Sequence, residues 1–381
     1  MSESGFSEIV LRDGERQLGD VVAEWRDLAA HIDGSSYFET PDWVLGWWEE
    51  RGRPRTVVGL WRDTSGRLEA VAFLSRLREP LRHGFPLAIP VVTNSGSGRP
   101  HSADRCGWPA LPHRVSDVRE WAANHRWRGS LLLRHLDRQT GAQSVPPDAH
   151  RVLSTRCPVL ECTGDGAVHP SSKNLAKDLP RFRRNLEKMG VTFAWTPPEQ
   201  MTADAVDLLF ALHASSQGRH GASTFTPERH AGLQRRLITA AQPGCGPAMA
   251  TASHEGRVIA ISYGFVWRDT FYAYQGGWDI SYAKLNLHTV LKSEMIRLAQ
   301  LNGLRSIDFL RGVESHKYSW GAHDVVDETW LLPRGLSGWL LERKFQLARA
   351  EQARDLGQAK RPRPRLAPGR VAMASRSRGH N

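Results

Sequence analysis

Residues 246–279 read GPAMATASHEGRVIAISYGFVWRDTFYAYQGGWD. Three β-rich runs are separated by polar turns at 254–257 and 268–270, which is the pattern of an antiparallel three-stranded meander. The stretch HTVLKSEMIRLAQLNG (288–303) follows as a helix ending at Gly303, then RSIDFLRG (305–312) and DETWLLPRG (327–335) as two more strands. Upstream, 191–195 reads as a strand, and 201–217 and 226–241 read as two helices. Before these lies SSKNLAKDLPRFRRNLEKMG (171–190), a basic helical region interrupted by Pro180 and stopped by Gly190.

The first part of the chain repeats the theme. ETPDWVLGWWEER (39–51) has Thr40 as N-cap, Pro41 at the first helical position and tryptophans on a broad apolar face, the mark of core packing. RTVVGLWRDTSGRLEAVAFLSRLR (55–78) is a hairpin turning at 63–67, 84–104 is a strand followed by a loop, and GSLLLRHLD (129–137) is an apolar strand. The Gly-Ser run 94–98 reads as an ordinary loop, because no Gly-Lys-Ser/Thr and no helix follow it. Gly66-Arg67 matches Gly256-Arg257 in context, and 130–134 resembles 306–311, so the chain reads as a degenerate duplication. The expected fold class is α/β. It comprises two tandem units, each a mixed, mostly antiparallel sheet flanked by helices. The expected divisions are 1–145, 155–335, a C-terminal helix over 336–358 and a disordered basic tail over 359–381, with the linker at 137–151.

Bulk properties exclude several classes. Of the net charge of +11, seven basic residues fall within 360–381, where no acidic residue occurs; the rest of the chain carries only +4. Four cysteines without a Cys-x-x-Cys pair argue against a disulfide framework or a zinc site, so no metal is expected. No signal peptide opens the chain and no run of 18 apolar residues occurs, which leads us to expect a cytoplasmic protein without membrane insertion.

The order strand, two helices, meander, helix, strand, strand is that of the GNAT acyltransferase fold. The stretches YQGGWDISYAKLNLHTVL (274–291) and DFLRGVESHKYSW (308–320) resemble the acetyltransferase domain of the CelD-like group of GNAT proteins, as do the basic helix and YFETPDWVLGWW (37–48). Two such units in one chain are also similar to the Fem-type aminoacyltransferases, which use aminoacyl-tRNA. Those enzymes carry Lys followed three residues later by an aromatic and then Gly, a spacing met here by Lys317, Trp320 and Gly321. His316 stands where the CelD-like group has Tyr, and Leu287-His288 where it has Pro-Gly.

What the resemblance implies is an N-acyltransferase in which an acceptor amine attacks the donor carbonyl directly, without a covalent enzyme intermediate. Two neighbouring strands splay apart in this fold, which frees backbone N–H groups for the oxyanion. The splay is expected between Gly276-Gly277 and 306–310, with Gly277 approached closely by backbone. Strand alternation sends Asp308 towards the cleft or towards a buried Arg, and the cleft is favoured. Glu314 is placed to accept the amine proton, and Lys317 to hold a phosphate or carbonyl oxygen. These three are the catalytic candidates. Tyr274, Gly277, Asp279, Tyr282, Lys284, Arg311 and Trp320 are the candidates for binding donor or acceptor.

The stretch that would hold the pyrophosphate of an acyl-CoA, DISYAKLNLHTVL (279–291), contains no glycine. Lys177, Arg181 and Arg184 form one basic stripe with Arg183 off its line, and could follow a phosphate backbone. Both features favour aminoacyl-tRNA as co-substrate over acyl-CoA, with a small-molecule or peptide amine as acceptor and no tightly bound cofactor. The alternatives are an acyl-CoA-dependent N-acetyltransferase and a non-catalytic RNA-binding scaffold.

Overall fold

The computed structural model describes residues 5–81, 87–98, 101, 103–127, 129–217 and 223–359. The basic segment from Lys360 onward, expected to be disordered, lies outside the described residues.

The N-terminal half comprises β1 (Gly5–Leu11), α1 (Glu15–Leu18), α2 (Val21–His31), α3 (Pro41–Glu50), β2 (Thr56–Arg62), β3 (Leu68–Pro80), β4 (Ala88–Asn94), α4 (Val115–Asn124) and β5 (Ser130–Asp137). The C-terminal half comprises β6 (His150–Glu161), α5 (Lys173–Lys188), β7 (Thr192–Thr196), α6 (Asp204–Gln217), α7 (Pro227–Thr239), β8 (Cys245–His254), β9 (Arg257–Trp267), β10 (Thr270–Trp278), α8 (Leu287–Leu301), β11 (Ser306–Asp308), α9 (Ser315–Tyr318), β12 (His323–Leu332) and α10 (Gly335–Ala359).

The described strands form one sheet in the order β1-β2-β3-β4-β5-β12-β6-β11-β10-β9-β8-β7. The α/β class and the paired, mostly antiparallel units expected from the sequence are therefore present. Only β4–β5 and β10–β11 pair in parallel, and they occupy matching places in the two halves. One strand also crosses between the halves. β12, last in sequence, pairs with β5 of the N-terminal half, while β6 pairs with β11 of the C-terminal half, and β6 and β12 pair with each other at the centre. The stretch read as linker is ordered: a 3-10 turn spans Gly141–Ser144, and β6 begins at His150.

Pro180 does not interrupt the basic helix, which runs unbroken through Lys188. The strand expected over 305–312 is shorter, ending at Asp308. The aromatic helix α3 is core as expected: Trp43, Trp47 and Trp48 are buried, and Thr40 caps its N-terminus by accepting from the Trp43 N–H. With Tyr37 and Phe38, Trp43 packs on Phe265 of β9, so the N-terminal aromatic segment is welded to the C-terminal sheet.

Candidate active site

The two parallel strand pairs define the site. β10 and β11 are in register from Thr270/Ser306 to Tyr272/Asp308 and then part. Phe309 turns away and donates its N–H to Pro158 O (2.9 Å), while Leu310, at a positive φ of 56°, donates to its neighbour Asp308 Oδ1 (2.8 Å). A bulge at Tyr274 interrupts the register of β10 with β9. Beyond Tyr272 the edge of β10 facing β11 has no strand partner, and a cleft of about 500 Å³ opens there. Its walls are Ala273–Gly276, Phe309–Arg311, the first turns of α8 (His288, Leu291, Lys292), the loop carrying Glu314 and Lys317, and Phe225, His230 and Asp104. The expected splay is present.

At the matching place in the N-terminal half the gap is filled. Asn94, at the end of β4, donates through Nδ2 to Arg134 O (3.0 Å) and to Cys106 O (3.1 Å), and accepts the Arg134 N–H at 2.8 Å. The Gly-Ser run after it is packed inside, as an ordinary loop: Gly96 O accepts the Trp43 indole N–H, and Ser97 is buried. One splay is open and the other is plugged.

Lys317 and Glu314 both line the cleft. The Lys317 ammonium is occupied by the loop itself, donating to Arg311 O (2.8 Å), Leu310 O (3.3 Å) and Gly312 O (3.5 Å) and pairing with Glu314 at 3.0 Å. It clamps the turn that follows β11. Glu314 is over half exposed at the mouth; although burial raises its pKa, the bond from Lys317 brings it below the ordinary value.

Asp308 is not in the cleft. The structure corrects that expectation in favour of the buried-arginine alternative: its carboxylate meets the Arg105 guanidinium at 3.0 Å, on the side of the sheet turned to the N-terminal half. Arg105 also pairs with Asp137 (2.5 Å) and lies 3.6 Å from Asp327. Asp104, Cys157 and Asp327 bring oxygen and sulfur atoms within 4.8 Å of one another in this cluster, a grouping not visible in the cysteine spacing.

Of the other candidates, Tyr274 and Arg311 line the cleft. Arg311 pairs with Asp104 (2.7 Å), which ties the cleft wall to the N-terminal half. Burial pushes the Tyr274 phenol up, so it stays protonated as a hydrogen-bond donor. Gly277 faces away from the cleft: a Cβ there would meet the α6 backbone at Leu212–His213 within 2.3 Å, so its close backbone approach is to a helix. Trp320 is buried in the core beneath α8. Asp279 caps the 3-10 turn Ile280–Leu285 and pairs with Arg257 (2.8 Å), Tyr282 bonds His254 (2.7 Å), and Lys284 is exposed on that turn; none of the three lines the cleft.

The basic helix is placed beside the cleft. Ser171 Oγ donates to Tyr318 O (2.8 Å) and Ser172 N–H to Ser319 O (3.3 Å), so α5 starts on the loop that follows Lys317. Its exposed basic residues, Lys173, Lys177, Arg181, Arg184 and Lys188, recur at intervals of three or four and lie on one face. Arg183 stands off that line, as the spacing indicated, and pairs with Glu187 and with Glu294 of α8.

The sequence reading missed His288 and Lys292, one helical turn apart on α8, and Asp104, which comes from the N-terminal half. Burial lowers the pKa of His288 to about 3 and of His316 to about 4, with nearby lysine charge adding to the shift, so both rings are neutral at pH 7. Burial and the Lys317 charge lower Lys292 to about 8. A lysine in the first turns of a helix, among apolar residues, was a signal the sequence did offer.

A parallel pair that splays at a cleft is the arrangement expected of the GNAT acyltransferase fold. Residues 173–318 match the family model described as an acetyltransferase (GNAT) domain. That span runs from the start of α5 to the end of α9 and contains most of the cleft wall. No curated protein matches the chain. Among solved structures, FemX aligns with a TM-score of 0.55 at 10% identity over 85% of this chain and 96% of that one. The C-terminal domain of a protein described as a lysylphosphatidylglycerol synthetase, from Agrobacterium fabrum, gives 0.52 at 11% over 84% and 93%. L-PGS from Bacillus licheniformis gives 0.50 at 11% over 82% and 92%. At these identities the likeness is one of fold, and it extends over both halves.

Proposed function

We propose that the protein joins an acyl group to an acceptor amine in the cleft between β10 and β11, and that its donor is an aminoacyl-tRNA. The observation that carries this reading is the pairing of an open splay with an exposed basic helix face that begins at its rim. The donor carbonyl lies against the unpaired edge of β10, whose backbone N–H groups take the developing oxyanion charge. The Tyr274 phenol, held protonated, is a further donor at that edge. Lys317 acts by holding the 310–312 turn and Glu314 in place, while Arg311 and Asp104 fix the opposite wall.

The donor assignment follows from how an anion is held. A CoA pyrophosphate needs backbone N–H groups converging from a glycine-rich turn, and the 3-10 turn Ile280–Leu285 with Asn286 offers no glycine. The α5 stripe offers what a long polyanion needs, repeated positive charge over four helical turns. The Lys317, Trp320, Gly321 spacing and the fold likeness to FemX point the same way.

Acyl-CoA is the second reading. It is favoured by α8, whose N-cap residue Asn286 makes no side-chain cap to the first turn, so that the positive end of the helix is not closed by a side chain. Purified protein supplied separately with aminoacyl-tRNA and with acyl-CoA, each with a panel of amines, separates the two. Amide product from aminoacyl-tRNA supports the first reading, and product from acyl-CoA alone overturns it.

A further inference from the structure

The charges in the cleft wall are matched except at one position. Arg311 has Asp104 at 2.7 Å, and Lys317 has Glu314 at 3.0 Å and three carbonyl oxygens. Lys292 has neither a hydrogen bond nor an ion pair among the described residues. Its ammonium instead lies 5.3 Å from the centroid of the Phe309 ring, on the cleft wall. The other groups around it leave its charge uncompensated. His288, one turn earlier on α8, and His316, from the loop, are neutral; Lys317 repels it; Glu314 attracts it but is bonded to Lys317; Tyr274 of β10 is protonated. His230 of α7 and the Asp104–Arg311 pair close the far wall.

We infer that Lys292 is the general base of the transfer, taking the proton from the acceptor amine as it attacks. The inference rests on the acyl-transfer reading above. The Phe309 ring face attracts the ammonium only weakly, and with no carboxylate of its own the amine is moved by burial and by Lys317 towards the neutral form, which is the form that can accept a proton. Its pKa of about 8, lowered chiefly by burial and then by Lys317, leaves part of the population neutral near pH 7.

The step balances as follows. The acceptor enters as a neutral amine and its nitrogen forms a bond to the acyl carbon. The nitrogen's proton passes to Lys292 Nζ. When the tetrahedral intermediate collapses, the bond from the acyl carbon to the leaving oxygen breaks with its electron pair on that oxygen. Lys292 then returns the proton to the leaving oxygen. Amide and free hydroxyl are the products, and the lysine ends neutral.

Two measurements test this, one without turnover. In the first, competitive labelling of the full chain with an amine-reactive reagent across pH 6–11, read by mass spectrometry, gives the titration of Lys292 directly. A midpoint near 8 is expected, and a midpoint at the ordinary lysine value overturns the inference whatever the donor proves to be. The second compares Lys292→Arg, which keeps the charge but cannot deprotonate, with Lys292→Met and with the unaltered protein, each checked for folding by its melting temperature. Both variants are expected to lose about 100-fold or more in kcat, with the pH-dependent rise in rate absent. An Arg variant of nearly full activity overturns the base role and makes Lys292 a binding site for a substrate anion. If the unaltered protein turns over no donor while Lys292 still titrates near 8, the transfer reading fails and the anomalous lysine stands.

Discussion

The Asn94 side-chain amide is bonded on both sides to the backbone of Arg134, accepting its N–H at 2.8 Å and donating to its carbonyl at 3.0 Å. It does for the N-terminal half what no residue among those described does at the matching place in the C-terminal half, where the strands part around an open cleft. A duplicated unit has become a support by filling its own splay with one amide.

Replacing Asn94 by Ala leaves the buried N–H and carbonyl of Arg134 without partners. The expected cost is about 1–3 kcal/mol of stability, read by denaturant unfolding. The transfer activity of the folded protein is expected to be unchanged, since Asn94 does not touch the cleft. A variant of normal stability contradicts the plug.

Lys317 is expected to behave as a positioning residue. Lys317→Met removes the ammonium from three carbonyl oxygens and from Glu314. Stability is expected to fall by about 1–3 kcal/mol and kcat to fall with it, while KM for the donor changes little. A large rise in donor KM at unchanged melting temperature assigns Lys317 to phosphate binding instead.

The α5 stripe gives a salt-dependent expectation. Lys177, Arg181 and Arg184 changed together to Ala lose exposed charge and, at Arg181, one exposed ion pair with Asp178 and a contact with the Phe182 ring, so folding is retained. With aminoacyl-tRNA as donor, KM is expected to rise about tenfold, and the dependence of KM on salt is expected to flatten. Unaltered KM and salt dependence contradict the tRNA reading.

The buried cluster between the halves sets a pH dependence of stability. Four carboxylates, Asp104, Asp137, Asp308 and Asp327, share the guanidiniums Arg105 and Arg311. Burial raises Asp327 to about 8. A raised carboxyl pKa means that the folded protein holds a proton the unfolded chain releases. Its contribution is complete below about pH 4 and is lost as pH rises through about 8. Asp327→Asn, which keeps the shape without the charge, is expected to flatten the decline in melting temperature between pH 5 and pH 8. An unchanged decline contradicts this.

Much of this was legible in the chain because it is local. The meander at 246–279 and the cap at Thr40-Pro41 follow from alternation and capping within a few residues, while the splay was expected from the resemblance to the GNAT fold and not from local pattern. The alternation also put Asp308 on the opposite face from Ile307, but which partner it meets there depends on Arg105, 203 residues away. β6 was hidden for a related reason. His150–Glu161 mixes charged and apolar residues, and it becomes a strand through pairing with β11 and β12, both distant in sequence. The sequence shows Lys292 as a lysine among apolar residues of α8, but what isolates its charge is the folding of Phe309 and Lys317 around it.

The central claim, that the gap between β10 and β11 is where the acyl group changes hands, is tested most directly by filling it. Ala273 lines the cleft on the unpaired edge of β10, and Ala273→Trp places an indole there. The measurement is amide formation from labelled aminoacyl-tRNA and the best acceptor amine, by mass spectrometry, with folding checked in parallel. The account predicts product from the unaltered protein and at least a 100-fold slower rate from the folded variant. Equal rates from the two proteins would contradict it.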